Sequence, residues 1–281
     1  MSEHAGRHAP PAPARLDVSK PNAARMYNVF LGDTNNYAAD RVAAEKAIEA
    51  VPGAPKLARS NRTFLLRAVR EAARAGITQF LDLGAGIPSV RTVHEQALEI
   101  VGDRTRVVYV DYEHVACAHG TITIEEQGVQ RHAGMVQSDF RDVEAVFDAP
   151  ETRRLLDPSR PVALLTVALW HFLADGDDPH ATMRELSSRL APGSRLVLTH
   201  LTHDGASAEQ QAELRSAEEV YARTANPLFP RSRADIAALI EAGGWSLLEP
   251  GLVQPAQWRP EPTDPPAEPV DAILAAGVAT R

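Results

Sequence analysis

The sequence is poor in cysteine and has no long hydrophobic run. Because Cys117 is the only cysteine among 281 residues, an internal disulfide and a cysteine-rich zinc site are both excluded. No segment approaches the roughly 18 consecutive apolar residues that a membrane span needs, and residues 1–20 lack the apolar segment of a signal peptide. We therefore expect a cytoplasmic protein that makes no membrane contact.

An excess of positive charge is also absent. The net charge is −8 and the sequence pI is about 5.7, which argues against a chain-wide attraction to nucleic acid or to an anionic membrane. Apolar residues make up 44% of the chain and charged residues 23%, as is usual for soluble globular proteins. We therefore expect a folded chain with a full hydrophobic core and no nucleic-acid partner.

Differences in composition and periodicity divide the sequence into three parts. Residues 1–20 are rich in proline, alanine and charge without periodicity, and we predict a disordered tail there. Residues 21–76 carry three helical patterns and are predicted to form an N-terminal helical cap. The helical patterns cover residues 22–31, 37–50 and 57–75.

From residue 77 onward the patterns of strand and helix alternate. Such alternation predicts an α/β protein in which a mostly parallel sheet carries helices on both faces. We therefore assign residues 77–281 to one Rossmann-like domain, with a helix over residues 143–156 among those that cover the sheet. Its strands are predicted over residues 77–83, 106–111, 134–138, 161–169, 194–200, 245–253 and 271–280.

A glycine turn follows the first of these strands. An apolar run that contains Asp82 ends in Gly84-Ala85-Gly86, and glycines at this place let the backbone turn tightly and approach a ligand. Asp111 ends the next predicted strand, 25 residues after Gly86, where a carboxylate can accept hydrogen bonds from ribose hydroxyls. The pair predicts a site for a ligand that contains adenosine.

The residues around the turn discriminate between two such ligands. A dinucleotide site needs a third small position for the close approach of its helix and a free helix N-terminus for the pyrophosphate, but here Ser89 occupies the third glycine position and Pro88 precedes it. The Asp82 carboxylate would repel a pyrophosphate, whereas it can bind the cationic amino group of an amino acid. These features favour S-adenosylmethionine over NAD, although an NAD-type oxidoreductase stays as a less favoured alternative.

At these residues the chain resembles class I S-adenosylmethionine-dependent methyltransferases. Asp82 to Gly86 resembles their first motif, and Asp111 their acidic residue in the second strand. Ser138-Asp139-Phe140 resembles the loop that contacts adenine, and Ala168 to Phe172 the segment that faces the methyl donor. The resemblance implies a seven-stranded, mostly parallel sheet whose last strand is antiparallel.

Further motifs point to one family within this superfamily. Ala24-Arg25-Met26-Tyr27, Asn36 to Arg41 and Ser60-Asn61-Arg62 are similar to an actinobacterial family formerly catalogued as a domain of unknown function. That family is now labelled as S-adenosylmethionine-dependent methyltransferases. The chain departs from its usual pattern at Asp33 and Thr34, where other members carry a glycine and a lysine.

The motifs and the resemblance together give a set of predicted donor-binding residues, in which an arginine would bind the donor's carboxylate. The set is Asp82, Gly84, Ala85, Gly86, Asp111, Tyr112, Ser138, Asp139, Phe140, Ala168, Arg25, Tyr27 and Arg62.

Three histidines of the sequence are candidates for chemistry. His171 follows the fourth strand and is our candidate general base, although a structural histidine that is hydrogen-bonded at a strand end fits the pattern equally well. His200, His203 and Asp204 lie close together in sequence but without a helix to fix their geometry, so we predict no metal site.

The most specific function that the sequence supports is methyl transfer from S-adenosylmethionine to an unidentified small-molecule acceptor. A non-catalytic regulator that binds S-adenosylmethionine would have the same donor motifs, so it stays as the principal alternative. No oligomeric state is predicted.

Overall fold

The computed structural model describes residues 18–89 and 91–281, so residues 1–17 of the predicted tail lie outside the described residues. Within the described ranges no helix is both long enough and apolar enough to cross a membrane.

A seven-stranded mixed sheet forms the centre of the molecule. Its strand order is β3-β2-β1-β4-β5-β7-β6, and β1 to β5 run parallel, whereas β7 pairs antiparallel with both of its neighbours. This arrangement confirms the predicted α/β class and the antiparallel last strand. The strands are β1 (Gln79–Leu83), β2 (Arg106–Asp111), β3 (Ala133–Gln137), β4 (Val162–Thr166), β5 (Arg195–Leu201), β6 (Ser246–Leu247) and β7 (Leu274–Thr280).

Alternation along the strands supplies an apolar core on each face of the sheet. In β1, Phe80 packs into one hydrophobic cluster, and Leu81 and Leu83 pack into the other. Both faces are covered by helices, as the strand–helix alternation predicts. One face carries α3 (Ala54–Arg74), α4 (Val93–Val101) and α5 (His114–Glu126), and the other carries α6 (Val143–Asp148), α7 (Pro150–Leu155), α8 (Pro179–Ser188) and α10 (Arg233–Ala242).

Three further helices lie over the carboxyl ends of the parallel strands. They are α1 (Ala23–Leu31), α2 (Ala38–Ala50) and α9 (Ala208–Tyr221), and their apolar faces share a third cluster with Leu201 and Leu274. We call these three helices the cap. In contrast, α3 packs Phe64 and Val69 directly on the sheet, although the sequence places it with the N-terminal helices.

Two predicted elements differ from the observed ones for a local reason. The helix predicted over residues 143–156 is two helices, because Pro150 has no N–H for a continuous ladder and instead begins α7. The strand predicted over residues 245–253 shrinks to β6, since Pro250 and then Gly251, at φ +82°, follow within four residues.

A buried ion-pair network fixes the cap to the sheet. The Nε of Arg25 in α1 donates to Asp40 of α2 at 2.8 Å, and its Nη1 donates to Glu113 at 2.7 Å. Asp40 also accepts the N–H groups of Asn22 and Tyr37, and Glu113 caps α5 through the N–H of Ala116. Arg25 therefore links α1 and α2 to the segment that follows β2.

Replacement of Arg25 with alanine should destabilise the protein strongly. The substitution leaves the Asp40 and Glu113 carboxylates buried without their cation, and we expect the free energy of unfolding to fall by about 3 kcal/mol. Urea denaturation measures the change. Arg41→Ala, on the exposed face of α2, is the matched control and should change stability by less than about 0.5 kcal/mol. A loss below about 1 kcal/mol for Arg25→Ala would contradict the anchoring role.

Candidate functional site

A cavity of about 530 Å³ opens at the carboxyl ends of the parallel strands, beneath the cap. This volume lies within the usual range of small-molecule sites, and the place is the crevice where the strand order reverses between β1 and β4. The loops after β1, β2 and β3 supply its polar wall. On the other side lies a region that we call the apolar chamber, lined by Phe30, Val51, Phe172, Leu214, Ala217 and Leu228.

The glycine turn forms the floor of the cavity. Gly84 and Gly86 have φ values of +68° and +65°, which favour glycine, and the N–H of Gly84 donates to the carbonyl of Val110 at 2.8 Å. A Cβ on Gly84 would lie 2.6 Å from Cδ1 of Leu169. A Cβ on Gly86 would have one neighbour, Ala24 at 3.9 Å, so this side of the turn is open to the cavity.

The carboxylate of Asp111 connects the turn to the end of β2. It accepts the N–H of Gly86 at 2.8 Å and that of Glu113 at 2.9 Å. Burial raises the pKa of Asp111, while these hydrogen bonds act in the opposite direction. The carboxylate is thereby held in one orientation at the cavity wall.

A hydrogen-bonded margin closes the cavity beside Asp111. The hydroxyl of Tyr112 accepts from Asn226, whose side-chain oxygen accepts from Nδ2 of Asn22 at 3.2 Å. The N–H of Ala225 donates to the carbonyl of Pro21 at 3.0 Å. The start of α1 and the loop after α9 therefore meet here through uncharged groups.

Asp82 and Arg62 face the cavity from β1 and α3. Burial raises the pKa of Asp82 from 3.8 to about 7, although the positive charge of Arg62 opposes this shift and Asp111 adds to it. Nη2 of Arg62 donates to the carbonyl of Arg91 at 2.7 Å, whereas its Nε is buried without a partner in the described chain. The pair offers a titratable carboxyl and an uncommitted N–H to a ligand.

The loop after β3 contributes a charged and an aromatic side chain. Arg141 donates to both oxygens of Asp139, and these hydrogen bonds lower the pKa of Asp139 even though its partial burial opposes them. Phe140 packs edge-to-face on Trp170 with 5.4 Å between ring centroids. The N–H of Ser138 donates to the carbonyl of Asp111, so this loop is held beside the end of β2.

Ala168 and His171 lie where β4 ends. Ala168 has φ +54° and its N–H donates to Oγ1 of Thr199 at 2.8 Å. Nδ1 of His171 accepts the N–H of Leu201 at 3.4 Å, and Nε2 makes no hydrogen bond within the described residues. Burial, with further contributions from His200 and Arg231, lowers the pKa of His171 well below its usual value, so the imidazole is neutral at pH 7.

His200 is held inside the protein by its own partners. Its Nδ1 contacts the carbonyl of Leu201 at 2.8 Å, and Nη1 of Arg231 lies 3.1 Å from its Nε2. Burial lowers its pKa to about 4. Nowhere in residues 18–89 and 91–281 do three His, Cys, Asp or Glu side chains gather as they would around a metal ion.

The structure brings most of the predicted site residues together, but Arg25 is an exception. All three of its guanidinium nitrogens are engaged, with Asp40, Glu113 and the carbonyl of Lys20, and the side chain does not line the cavity. We therefore withdraw Arg25 as a donor ligand. The predicted residues that do line the cavity are Tyr27, Arg62, Asp82, Gly84, Ala85, Gly86, Asp111, Tyr112, Ser138, Asp139, Phe140, Ala168 and His171.

Sequence reasoning missed most of the apolar chamber. Leu214, Ala217 and Leu228 come from a helix and a loop more than 120 residues after the glycine turn, and no local motif marks them. Asn61 belongs to the Ser60-Asn61-Arg62 motif, but nothing in the sequence marks it as a residue that lines the cavity. Its side chain donates to the hydroxyl of Tyr27 at 3.1 Å, whereas its Oδ1 is buried without a partner in the described chain.

Sequence comparison assigns the family. The profile of the S-adenosyl methyltransferase family matches residues 9–281. The chain belongs to this family. Its methyl donor is S-adenosylmethionine, and the chain is a methyltransferase by this membership. No functionally curated protein matches the sequence significantly.

Two solved structures are similar over nearly their whole length. A methyltransferase candidate from Thermobifida fusca YX is 34% identical, with 97% of this chain and 99% of that chain covered and a TM-score of 0.85. A DUF574 family protein from Streptomyces avermitilis MA-4680 is 33% identical, with 95% and 100% covered and a TM-score of 0.84. Both organisms are actinobacteria, in agreement with the resemblance seen in the sequence.

A more distant structure shares the fold alone. An O-methyltransferase family protein from Burkholderia thailandensis is 14% identical, with 94% of this chain and 64% of that chain covered and a TM-score of 0.51.

The cavity fits the donor that the family uses. The open side of Gly86 leaves room for a ligand against the turn, and the unpartnered Nε of Arg62 offers a donor for a carboxylate. The Asp82 carboxyl can pair with an ammonium group. The polar side of the cavity thus has partners for both ends of an amino-acid group.

Titration of Asp82 should be measurable as a pH dependence of stability. Because its pKa is raised from 3.8 to about 7 by folding, the unfolded chain loses this proton first as the pH rises, and the folded state loses stability between those two values. One pKa unit corresponds to about 1.4 kcal/mol. From pH 5 to pH 8 the wild type should therefore lose about 3 kcal/mol more than Asp82→Asn does. Urea unfolding of both ligand-free proteins measures this, and parallel pH profiles would contradict the assignment.

Proposed function

We propose that the protein transfers the methyl group of S-adenosylmethionine to a small-molecule acceptor bound in the same cavity. The observation that carries the proposal is the continuity of one cavity from the glycine turn, past Ala168 and His171, into the apolar chamber. A donor that contacts Gly86 would leave the chamber free for a second molecule. Methyl transfer requires donor and acceptor in direct contact and shielded from water.

The donor is assigned to the polar side of the cavity. We assign the ribose hydroxyls to the Asp111 carboxylate, which the N–H groups of Gly86 and Glu113 hold in place. Asp82 is assigned to the donor's ammonium group and Arg62 to its carboxylate. The adenine is assigned to the loop with Ser138, Asp139 and Phe140, and to Tyr112.

Methyl transfer requires the protein mainly to hold the donor and the acceptor in the correct positions. When bound, the sulfonium of S-adenosylmethionine supplies an electrophilic methyl group. The residues of the chain would orient the acceptor and exclude water, which for well-oriented groups accounts for much of a rate enhancement. The cap and the chamber are suited to this task, because their side chains cover the crevice with apolar surface.

We retain His171 as the proposed catalytic residue. It lies at the end of β4, next to Ala168, and its imidazole is neutral at pH 7 and can accept a proton. A base with so low a pKa gives only modest assistance. The proposal therefore assigns the larger part of the acceleration to orientation and the smaller part to His171.

The alternatives are less well supported. A non-catalytic regulator needs no space next to the donor methyl group, yet the cavity extends beyond His171 into the apolar chamber. An NAD-type oxidoreductase is disfavoured by the family to which the chain belongs. It is also disfavoured by Asp82, whose carboxylate beside the turn would repel the pyrophosphate of NAD.

Removal of the Asp111 carboxylate tests the donor site. We expect Asp111→Ala to bind S-adenosylhomocysteine at least tenfold more weakly than the wild type, because two charge-assisted hydrogen bonds to the ribose are lost. Isothermal titration calorimetry gives both dissociation constants, and NAD should give no binding heat.

Asp103→Ala is the matched control for this measurement. Asp103 is an exposed carboxylate that precedes β2, at the end of the strand opposite Asp111, and its replacement should leave the affinity unchanged. Equal affinities of Asp111→Ala and the wild type for S-adenosylhomocysteine, or tight binding of NAD, would contradict the proposed function.

A further inference from the structure

The charged side chains of the cavity come together in the half of the sheet that holds β1, β2 and β3. Four belong to the ends of β1 and β2 or to the loop after β3, and Arg62 of α3 joins them because its Nη2 donates to the carbonyl of Arg91, in the segment that follows β1. They are Arg62, Asp82, Asp111, Asp139 and Arg141. All of them therefore lie on the side that the proposed function gives to the donor.

The apolar chamber lies over the other half of the sheet. Phe172 follows β4, and Leu201 at the end of β5 pairs with Leu274 at the start of β7. The cap helices close the chamber with Phe30, Leu214 and other buried apolar side chains. Among the described residues that line the cavity, the charged ones belong to α3, to the ends of β1 and β2 or to the loop after β3, and none comes from β4, β5, β7 or the cap helices.

Three polar groups that border the chamber have no hydrogen-bond partner within the described residues. Oδ1 of Asn61 is buried without a hydrogen bond, and neither the Tyr221 hydroxyl nor Nε2 of His171 makes one within the described residues. Burial raises the pKa of the Tyr221 hydroxyl and lowers that of His171, so both groups stay uncharged at neutral pH. The chamber thus offers a few neutral hydrogen-bonding groups within apolar walls.

We propose that the methyl acceptor is an uncharged, largely hydrophobic small molecule that carries one or two hydrogen-bonding groups. The inference rests on the proposed function, since it assigns the chamber to the acceptor. A carboxylate, phosphate or ammonium group would lose its hydration in the chamber and find no opposite charge there, which is strongly unfavourable. A neutral hydroxyl or amide group would instead meet Asn61, Tyr221 or His171.

Three probes of one shape but different charge test the inference. They are 2-naphthol, 2-naphthoate and 2-naphthylmethylammonium, and their binding is measured by fluorescence titration of wild-type protein saturated with S-adenosylhomocysteine. We expect 2-naphthol to bind at least tenfold more tightly than either charged probe. An equal or greater affinity for a charged probe, or no binding of 2-naphthol, would overturn the inference.

A pair of variants on α9 locates the bound probe. Ala217→Leu adds three carbon atoms inside the chamber, and Ala212→Leu adds the same atoms on the exposed face of the helix. Ala217→Leu should lower the affinity for 2-naphthol at least fivefold and keep the affinity for S-adenosylhomocysteine within twofold. Ala212→Leu should change neither affinity. Unchanged naphthol binding by Ala217→Leu, in a variant that still binds S-adenosylhomocysteine, would overturn the assignment of the chamber.

The measurements separate this inference from the function on which it rests. If the wild type fails to bind S-adenosylhomocysteine, the proposed function fails and the acceptor class fails with it. If it binds S-adenosylhomocysteine but prefers a charged probe, only the acceptor class is wrong. If Ala217→Leu does not fold, the relative affinities of the wild type for the three probes still test the acceptor class.

Discussion

Two neighbouring buried carboxylates at the end of β2 tie the functional parts of the molecule together. Asp111 holds the glycine turn through the N–H of Gly86, and Glu113 holds the cap through Arg25. The N–H of Glu113 also donates to Asp111, so the two connections meet in one stretch of backbone. A buried carboxylate needs hydrogen-bond donors, and here the glycine turn supplies one to Asp111 and Arg25 of the cap supplies one to Glu113. The cavity lies between the turn and the cap, so its shape depends on both.

The direction of the chain through the sheet explains why the cavity has two chemical halves. After β1 the chain moves to β2 and β3 on one side, and it returns to add β4 and β5 on the other. The loops of the first half bear Asp82, Asp111 and Asp139, whereas the second half is covered by apolar side chains of the cap. A charged donor and a hydrophobic acceptor would therefore meet at the boundary between β1 and β4, next to Gly84 and Ala168.

The polar half could be predicted from the sequence because its signals are local. A glycine turn after an apolar run and an acidic residue at the next strand end are each visible within a few residues, and these positions line the cavity. The role of Arg25 could not be predicted in this way, since its partners lie 15 and 88 residues away. The apolar chamber was likewise hidden, because a buried leucine of α9 has the same pattern whether it packs on a core or lines a cavity.

Two of the polar attachments of α1 differ greatly in strength. At Arg25 the helix is bound by paired charges, and their separation would leave carboxylates stranded in the interior. At its start, Asn22 donates to Asn226 and the carbonyl of Pro21 accepts the N–H of Ala225, and each of these neutral hydrogen bonds contributes about 0.5–1.5 kcal/mol. The polar contacts between the loop after α9 and the start of α1 are therefore much weaker than those that Arg25 makes. An opening of the cavity at this edge would break only neutral hydrogen bonds among the polar contacts, while the ion pairs of Arg25 stay intact.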